Sequence, residues 1–140
     1  MSEKFKILTQ FVKDMSSETP DVETYLYVKE YLKNYNLSID ITTKPLKNRM
    51  IEVNTKISYM DKKETKKKSY FEITYASIVK IDEQIKDRKI IEKIILCDVQ
   101  KEIYPNIEKV FINLLSNSGF PGIRFEKKVD FEQLYNQRLS

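Results

Sequence analysis

An α+β domain, with a four-stranded antiparallel sheet covered by helices, is the fold this 140-residue sequence predicts. Two observations carry that expectation. Apolar residues recur at every second position through most of the chain up to Ile81, then at every third or fourth, so strands precede helices instead of alternating with them. No internal repeat or linker divides the chain, and its length suits one core, so residues 1–140 are expected to form a single domain.

The elements follow in order. Residues 4–15, KFKILTQFVKDM, alternate in part, with Phe5, Ile7 and Phe11 on one face and Leu8 and Val12 on the other, which suits a first strand. SSETPD at 16–21 is turn chemistry, and Pro20 ends regular structure. Residues 22–35 hold Tyr25, Tyr27, Tyr31 and Tyr35 in a segment that suits a short helix or an extended crossover. From Asn36 the period is two: Leu37, Ile39 and Ile41 alternate with Ser38, Asp40 and Thr42 until Pro45. A third strand sets Ile51, Val53, Ile57 and Tyr59 against Glu52, Asn54, Lys56 and Ser58. DKKETKKK at 61–68 reads as a charged hairpin connection, and Ser69 to Ile81 as a fourth strand, apolar on both faces and hence central or covered twice.

After Asp82 the period is 3.6. Ile91, Ile95, Val99, Ile103, Ile107, Val110 (or Phe111) and Leu114 form one stripe of a long helix. Pro105 interrupts it, predicting either a kink or a second helix with proline in its first turn. Asn117-Ser118-Gly119 followed by Phe120-Pro121 is a stop signal. A short C-terminal helix is expected after Asp130, its cap, with Phe131, Leu134, Tyr135 and Leu139 as its apolar side.

Composition excludes most catalytic plans. The chain has no His, one Cys, two Gly and no Trp. It therefore lacks the commonest general base and metal ligand, and cannot form an intrachain disulfide or a cysteine-rich zinc cage. Gly119 and Gly122 stand too late and too few for a phosphate-cradling loop. Cys97 follows Ile94-Ile95-Leu96 and reads as a small buried hydrophobe. No acid–base pair stands at motif spacing, so neither an enzyme nor a cofactor or metal is expected. The longest strongly apolar runs are far short of the roughly 20 residues of a membrane span. MSEKFKILTQ has no apolar h-region, so a cytoplasmic protein without direct membrane insertion is expected.

Charge points less clearly. Lys and Arg number 25 against 21 Asp and Glu, a net +4. Residues 1–40 carry 5 basic and 7 acidic side chains, and 41–140 carry 20 and 14. A basic balance permits a nucleic-acid partner without establishing one, and KKETKKK at 62–68 has no adjacent aromatic RNA-binding motif or helix-turn-helix signature.

Several motifs together resemble one family, the SecB-type protein-export chaperones. FVKDMSSETP (11–20) resembles that family's aromatic-x-Lys-Asp-x-Ser-x-Glu-x-Pro segment, and LSIDIT (37–42) its alternating second strand. SGFPGIRFEKKVDFEQLY (118–135) is similar to the family's Gly-x-Phe-Pro segment and the opening of its last helix. The resemblance covers roughly residues 5–139, with the blocks in the right order. It implies a dimer of dimers that holds unfolded precursor proteins in long apolar grooves and passes them to the SecA motor, without catalysis or nucleotide.

By this resemblance Leu37, Ile39, Ile41, Phe131, Leu134 and Tyr135 line the substrate groove, and Tyr25 and Tyr27 add adaptable apolar surface. Asp14, Glu18 and Glu72 match acidic positions that dock SecA's basic, zinc-bearing tail, with Tyr70 at an apolar position beside Glu72. The chain departs from the family in its basic net charge. It departs also at Val99-Gln100-Lys101, where the family has Cys-Pro-Asn, and at Glu108, where it has Arg. An antitoxin-dedicated SecB-like chaperone and a small basic nucleic-acid-binding protein are the alternatives. The retained Asp14, Glu18 and Glu72 favour export.

Overall fold

Four antiparallel strands in the order β1-β4-β3-β2 form the sheet of the computed structural model, which describes residues 4–61, 68–125 and 129–139. β1 is Phe5–Glu18, β2 Tyr35–Pro45, β3 Met50–Asp61 and β4 Tyr70–Ile81. β4 is an inner strand, as its β-branched and aromatic composition predicts. Its odd-numbered side chains, among them Phe71, Ile73, Tyr75 and Val79, are buried under helices. Its other face differs from the expectation of a doubly covered strand, for Tyr70, Glu72, Thr74 and Ile78 are only half-buried. The expected lysine-rich connection at 62–67 lies outside the described residues.

β1 corrects two expectations. It runs on through the anticipated turn, because Ser16, Ser17 and Glu18 find ladder partners in Glu72, Phe71 and Tyr70. Its register also shifts between Ile7 and Thr9 and between Val12 and Asp14. Each inserted residue moves the following side chains to the opposite face. Phe5 and Ile7 therefore stand opposite buried Ile81 and Val79, whereas Phe11 stands opposite Ala76 on the open face.

Residues 22–35 resolve as helix followed by strand. The Asp21 carboxylate accepts from Thr24 N–H at 2.7 Å and caps α1, Val22–Tyr31, which a single 3-10 turn, Leu32–Asn34, joins to β2. The β2–β3 hairpin turns through Asn48 (φ 60°) and Arg49 (φ 63°). The Arg49 guanidinium then donates to the carbonyl oxygens of Asp82 (2.8 Å) and Ile85, fixing the connection from β4 to the next helix.

That helical stretch comprises α2, Arg88–Lys93, a π-helical turn, Ile94–Asp98, and α3, Val99–Asn117. The Val99 N–H reaches back five residues to the Ile94 carbonyl, and the widened turn buries Ile94, Ile95, Leu96 and Cys97 in succession. Pro105 lies inside α3 and starts no new helix, so the irregularity falls upstream of the proline. The buried stripe uses Ile103, Ile107, Phe111 and Leu115, choosing Phe111 over Val110 and Leu115 over Leu114. α3 ends as its sequence predicts. Gly119 takes φ 98°, its N–H donates to the Ser116 carbonyl (3.2 Å), and Phe120 N–H donates to the Leu115 carbonyl (2.9 Å). The Asp130 carboxylate accepts from Gln133 N–H at 3.0 Å and caps α4, Phe131–Leu139. No described helix is long and apolar enough to cross a membrane.

Candidate functional site

β2 is an edge strand, and its position leaves an apolar margin. Leu37, Ile39 and Ile41 stand opposite Tyr59, Ile57 and Thr55 on the helix side of the sheet. Their β3 partners are buried while they are half-buried, because β2 has no strand beyond it. Two adjoining clefts run along this margin. One, of about 150 Å³, is lined by Ile39, Asp40, Ile41, Leu96, Leu134 and Tyr135. The other, of about 630 Å³, shares Ile41 and Leu96 and extends past Pro45 and Ile51 to Arg88, Ile91 and Ile95. The floor is thus contributed by the π turn and α2 as well as by β2 and α4.

Local chemistry holds α4 in place. Lys101 on α3 donates to Glu132 at 2.8 Å, which holds that carboxyl below the usual range. Leu134, 42% exposed, is left projecting at the cleft. Phe131 does not join it. Only 4% exposed, it packs edge-on against Tyr104 (centroids 5.2 Å), and its carbonyl accepts from the Cys97 thiol at 3.5 Å. Burial, with Glu108 adding repulsion, pushes the Tyr104 hydroxyl up to about 12. Phe131 borders a different cleft of about 530 Å³, with Tyr104, Pro105, Ile112 and Val129. α3 rather than β2 thus receives its ring, and Phe131 does not line the two clefts along β2.

The tyrosines of α1 are also partly engaged internally. The Tyr25 hydroxyl donates to the Gly119 carbonyl at 2.7 Å, and its ring packs on Phe120 with centroids 5.1 Å apart. Tyr27 stacks on Tyr31 at 4.6 Å. Neither Tyr25 nor Tyr27 lines the clefts along β2, and Leu37 sits on the same strand face short of them. Sequence reasoning did not single out the exposed Val22 and Leu26 of α1, four residues apart on one helix side, or Leu96 and Ile51 as cleft walls. Their spacing becomes informative only once the segment is known to be helical.

The opposite face of the sheet carries the acidic candidates together. Ladder pairs put Glu18 beside Tyr70, Ser16 beside Glu72 and Asp14 beside Thr74, so Asp14, Glu18, Tyr70 and Glu72 share one face. Two ion pairs cross it: Lys13 to Glu52 at 2.8 Å and Lys56 to Glu72 at 2.6 Å. The Lys13 contact, reinforced by Asn54, holds the Glu52 carboxyl below the usual range. Asp14 and Glu18 make no ion pair among the described residues. No cluster of three or more Cys, Asp or Glu suited to a metal ion exists among the described residues. The arrangement offers an apolar margin beside an unpaired strand edge, backed by a polar sheet face of mixed charge.

The family model described as preprotein translocase subunit SecB matches residues 1–140. The chain is a member of the SecB family. A putative protein-export protein SecB of Pelagibacter ubique (strain HTCC1062) is 56% identical over 140 residues, covering 100% of both chains. The protein-export protein SecB of Parvibaculum lavamentivorans (strain DS-1) is 27% identical, over 96% of this chain and 79% of its own length. A solved Mycobacterium tuberculosis SecB-like chaperone, Rv1957, in complex with a ChAD peptide from the Rv1956 HigA1 antitoxin, aligns with a TM-score of 0.68. That match covers 91% of this chain and 92% of the other at 10% identity, and shows a shared SecB-like α+β fold. SecB proteins are chaperones of protein export and not enzymes.

Proposed function

We propose that this SecB-family chain is a cytoplasmic export chaperone that binds unfolded precursor proteins along β2 and delivers them to the SecA motor. The observation that carries the reading is the apolar margin beside the β2 edge. An extended chain can add its backbone to such an edge and place alternate side chains in clefts, whatever its sequence. Ile39, Ile41, Leu96, Leu134 and Tyr135 give those clefts apolar walls without a shaped polar centre, which suits clients that share no motif. Asp14, Glu18, Tyr70 and Glu72 on the open face supply the docking surface for SecA's basic tail.

Self-association as a dimer of dimers belongs to the same reading. β1 is the other edge strand, 14 residues long, and exposes Leu8, Phe11, Val12 and Met15. A long edge with apolar side chains on both faces is a template for pairing with a second copy. Native mass measurement, alone and with a denatured precursor, tests the proposal. A tetramer that retains the precursor and shields it from aggregation is expected. A monomer that ignores unfolded protein overturns it.

A further inference from the structure

The open face of the sheet is less acidic in effect than its carboxylates suggest. Lys56 stands directly opposite Asp40 on β2 and Thr74 on β4, with Glu72 on the diagonal, and its ammonium closes to 2.6 Å from the Glu72 carboxylate. Glu72 is the more enclosed partner, its side chain 14% exposed against 48% for Lys56. Lys13 sits at the β1 bulge between Val12 and Asp14, and reaches across to Glu52 on β3. Between these pairs lies a depression of about 440 Å³ whose wall carries Lys13, Asp14, Asp40 and Lys56, two charges of each sign. A basic ligand arriving here meets cations of this chain already seated on two of the carboxylates.

We infer that Lys13 and Lys56 act as built-in competitors for a basic partner, holding docking on the open sheet face weak and leaving its net gain to Asp14 and Glu18, which flank the paired Glu72 along β1. The inference rests on the docking reading above and gives its regulation. A partner cation can engage Glu72 only by displacing Lys56, exchanging one charge contact for another. The exchange nearly cancels, both in affinity and in salt dependence, because salt screens the internal and the intermolecular pair alike. Asp14 and Glu18, which pair with no cation among the described residues, are left as the carboxylates that yield a net gain.

Titration of SecA's zinc-loaded basic tail against the full chain, at low and at raised salt, tests this. Lys56→Gln is expected to bind the tail about two- to fivefold more tightly than the wild type, with a steeper loss of affinity as salt rises. Lys13→Gln is expected to shift affinity in the same direction, which keeps the inference open to test should Lys56→Gln fold poorly. Asp14→Asn serves as the control for docking itself. If Asp14→Asn weakens binding while both lysine variants bind as the wild type or more weakly, the lysines are bystanders or partner contacts, and the inference falls alone. If no protein binds the tail, the docking reading falls and takes the inference with it.

Discussion

Tyr25 and Gly119, 94 residues apart, are joined by a 2.7 Å hydrogen bond from the tyrosine hydroxyl to the glycine carbonyl, which ties α1 to the end of α3. A Cβ on Gly119 would stand 2.6 Å from the Tyr25 ring, and the backbone there has φ 98°, which side-chain-bearing residues adopt only under strain. Gly119→Ala is therefore expected to destabilise the fold by about 2 kcal/mol or more, from the strained φ together with displacement of the ring. Tyr25→Phe removes only the hydrogen bond and is expected to cost about 1 kcal/mol. Chemical denaturation at fixed protein concentration measures both, and equal effects for the two variants would contradict the steric account.

Leu134 and Phe131 lie on one short helix but are expected to report on different properties. Leu134→Asp places a charge at the exposed cleft and is expected to weaken binding of an unfolded precursor about tenfold, the loss of a ~1.5 kcal/mol apolar contact. Its thermal unfolding is expected to stay close to that of the wild type. Phe131→Ala empties a core site against Tyr104 and is expected to cost about 3–5 kcal/mol of stability. Fluorescence anisotropy with a labelled denatured precursor, beside melting curves, separates the two. Undiminished binding by a folded Leu134→Asp would remove that side chain from the groove.

What the sequence made legible was what local chemistry decides. The strict alternation of Leu37, Ile39 and Ile41 placed β2 and its inner face, and Gly119 and Asp130 marked a helix end and a helix start through their own backbone needs. Where a distant partner decides, the pattern gave no guide. Ser16 to Glu18 read as a turn until Tyr70 to Glu72 offered them a ladder, and the β1 bulges that turn Phe11 to the open face leave no mark in its spacing. Phe131 and Leu134 are equally apolar in sequence; only the approach of Tyr104 from α3 buries one of them. The acidic candidates come to share one face only through the β1–β4 ladder, and the lysines that reach Glu52 and Glu72 lie on other strands than those carboxylates.

Arg49 combines a strained backbone with a clamp, so its substitutions are expected to separate the two effects. Arg49→Ala removes charge-assisted hydrogen bonds to two carbonyls of the β4–α2 connection while keeping φ near 63°, and is expected to cost about 2–3 kcal/mol. Arg49→Gly loses the same clamp but relaxes the backbone, and is expected to be about 1 kcal/mol more stable than the alanine variant. Denaturation midpoints of the two variants check the order. An alanine variant at least as stable as the glycine variant would show that the turn holds no strain.

Glu52 gives the open face a pH dependence whose sign follows from its neighbours. The hydrogen bond from Lys13, then that from Asn54, holds its carboxyl below the ordinary value. A carboxyl depressed by folding contributes stability above its unfolded pKa, about 4.3, and that contribution is lost as pH falls through the lower folded value. The ion pair is therefore expected to persist at neutral pH and to open only below the ordinary glutamate range, releasing Lys13 as it does. Carboxyl carbon shifts followed by NMR should place the Glu52 midpoint below the ordinary glutamate value, and Lys13→Gln should move it back up. A midpoint indifferent to Lys13 would show that this lysine does not hold Glu52 in solution, and would remove one of the two competitors assigned to the open face.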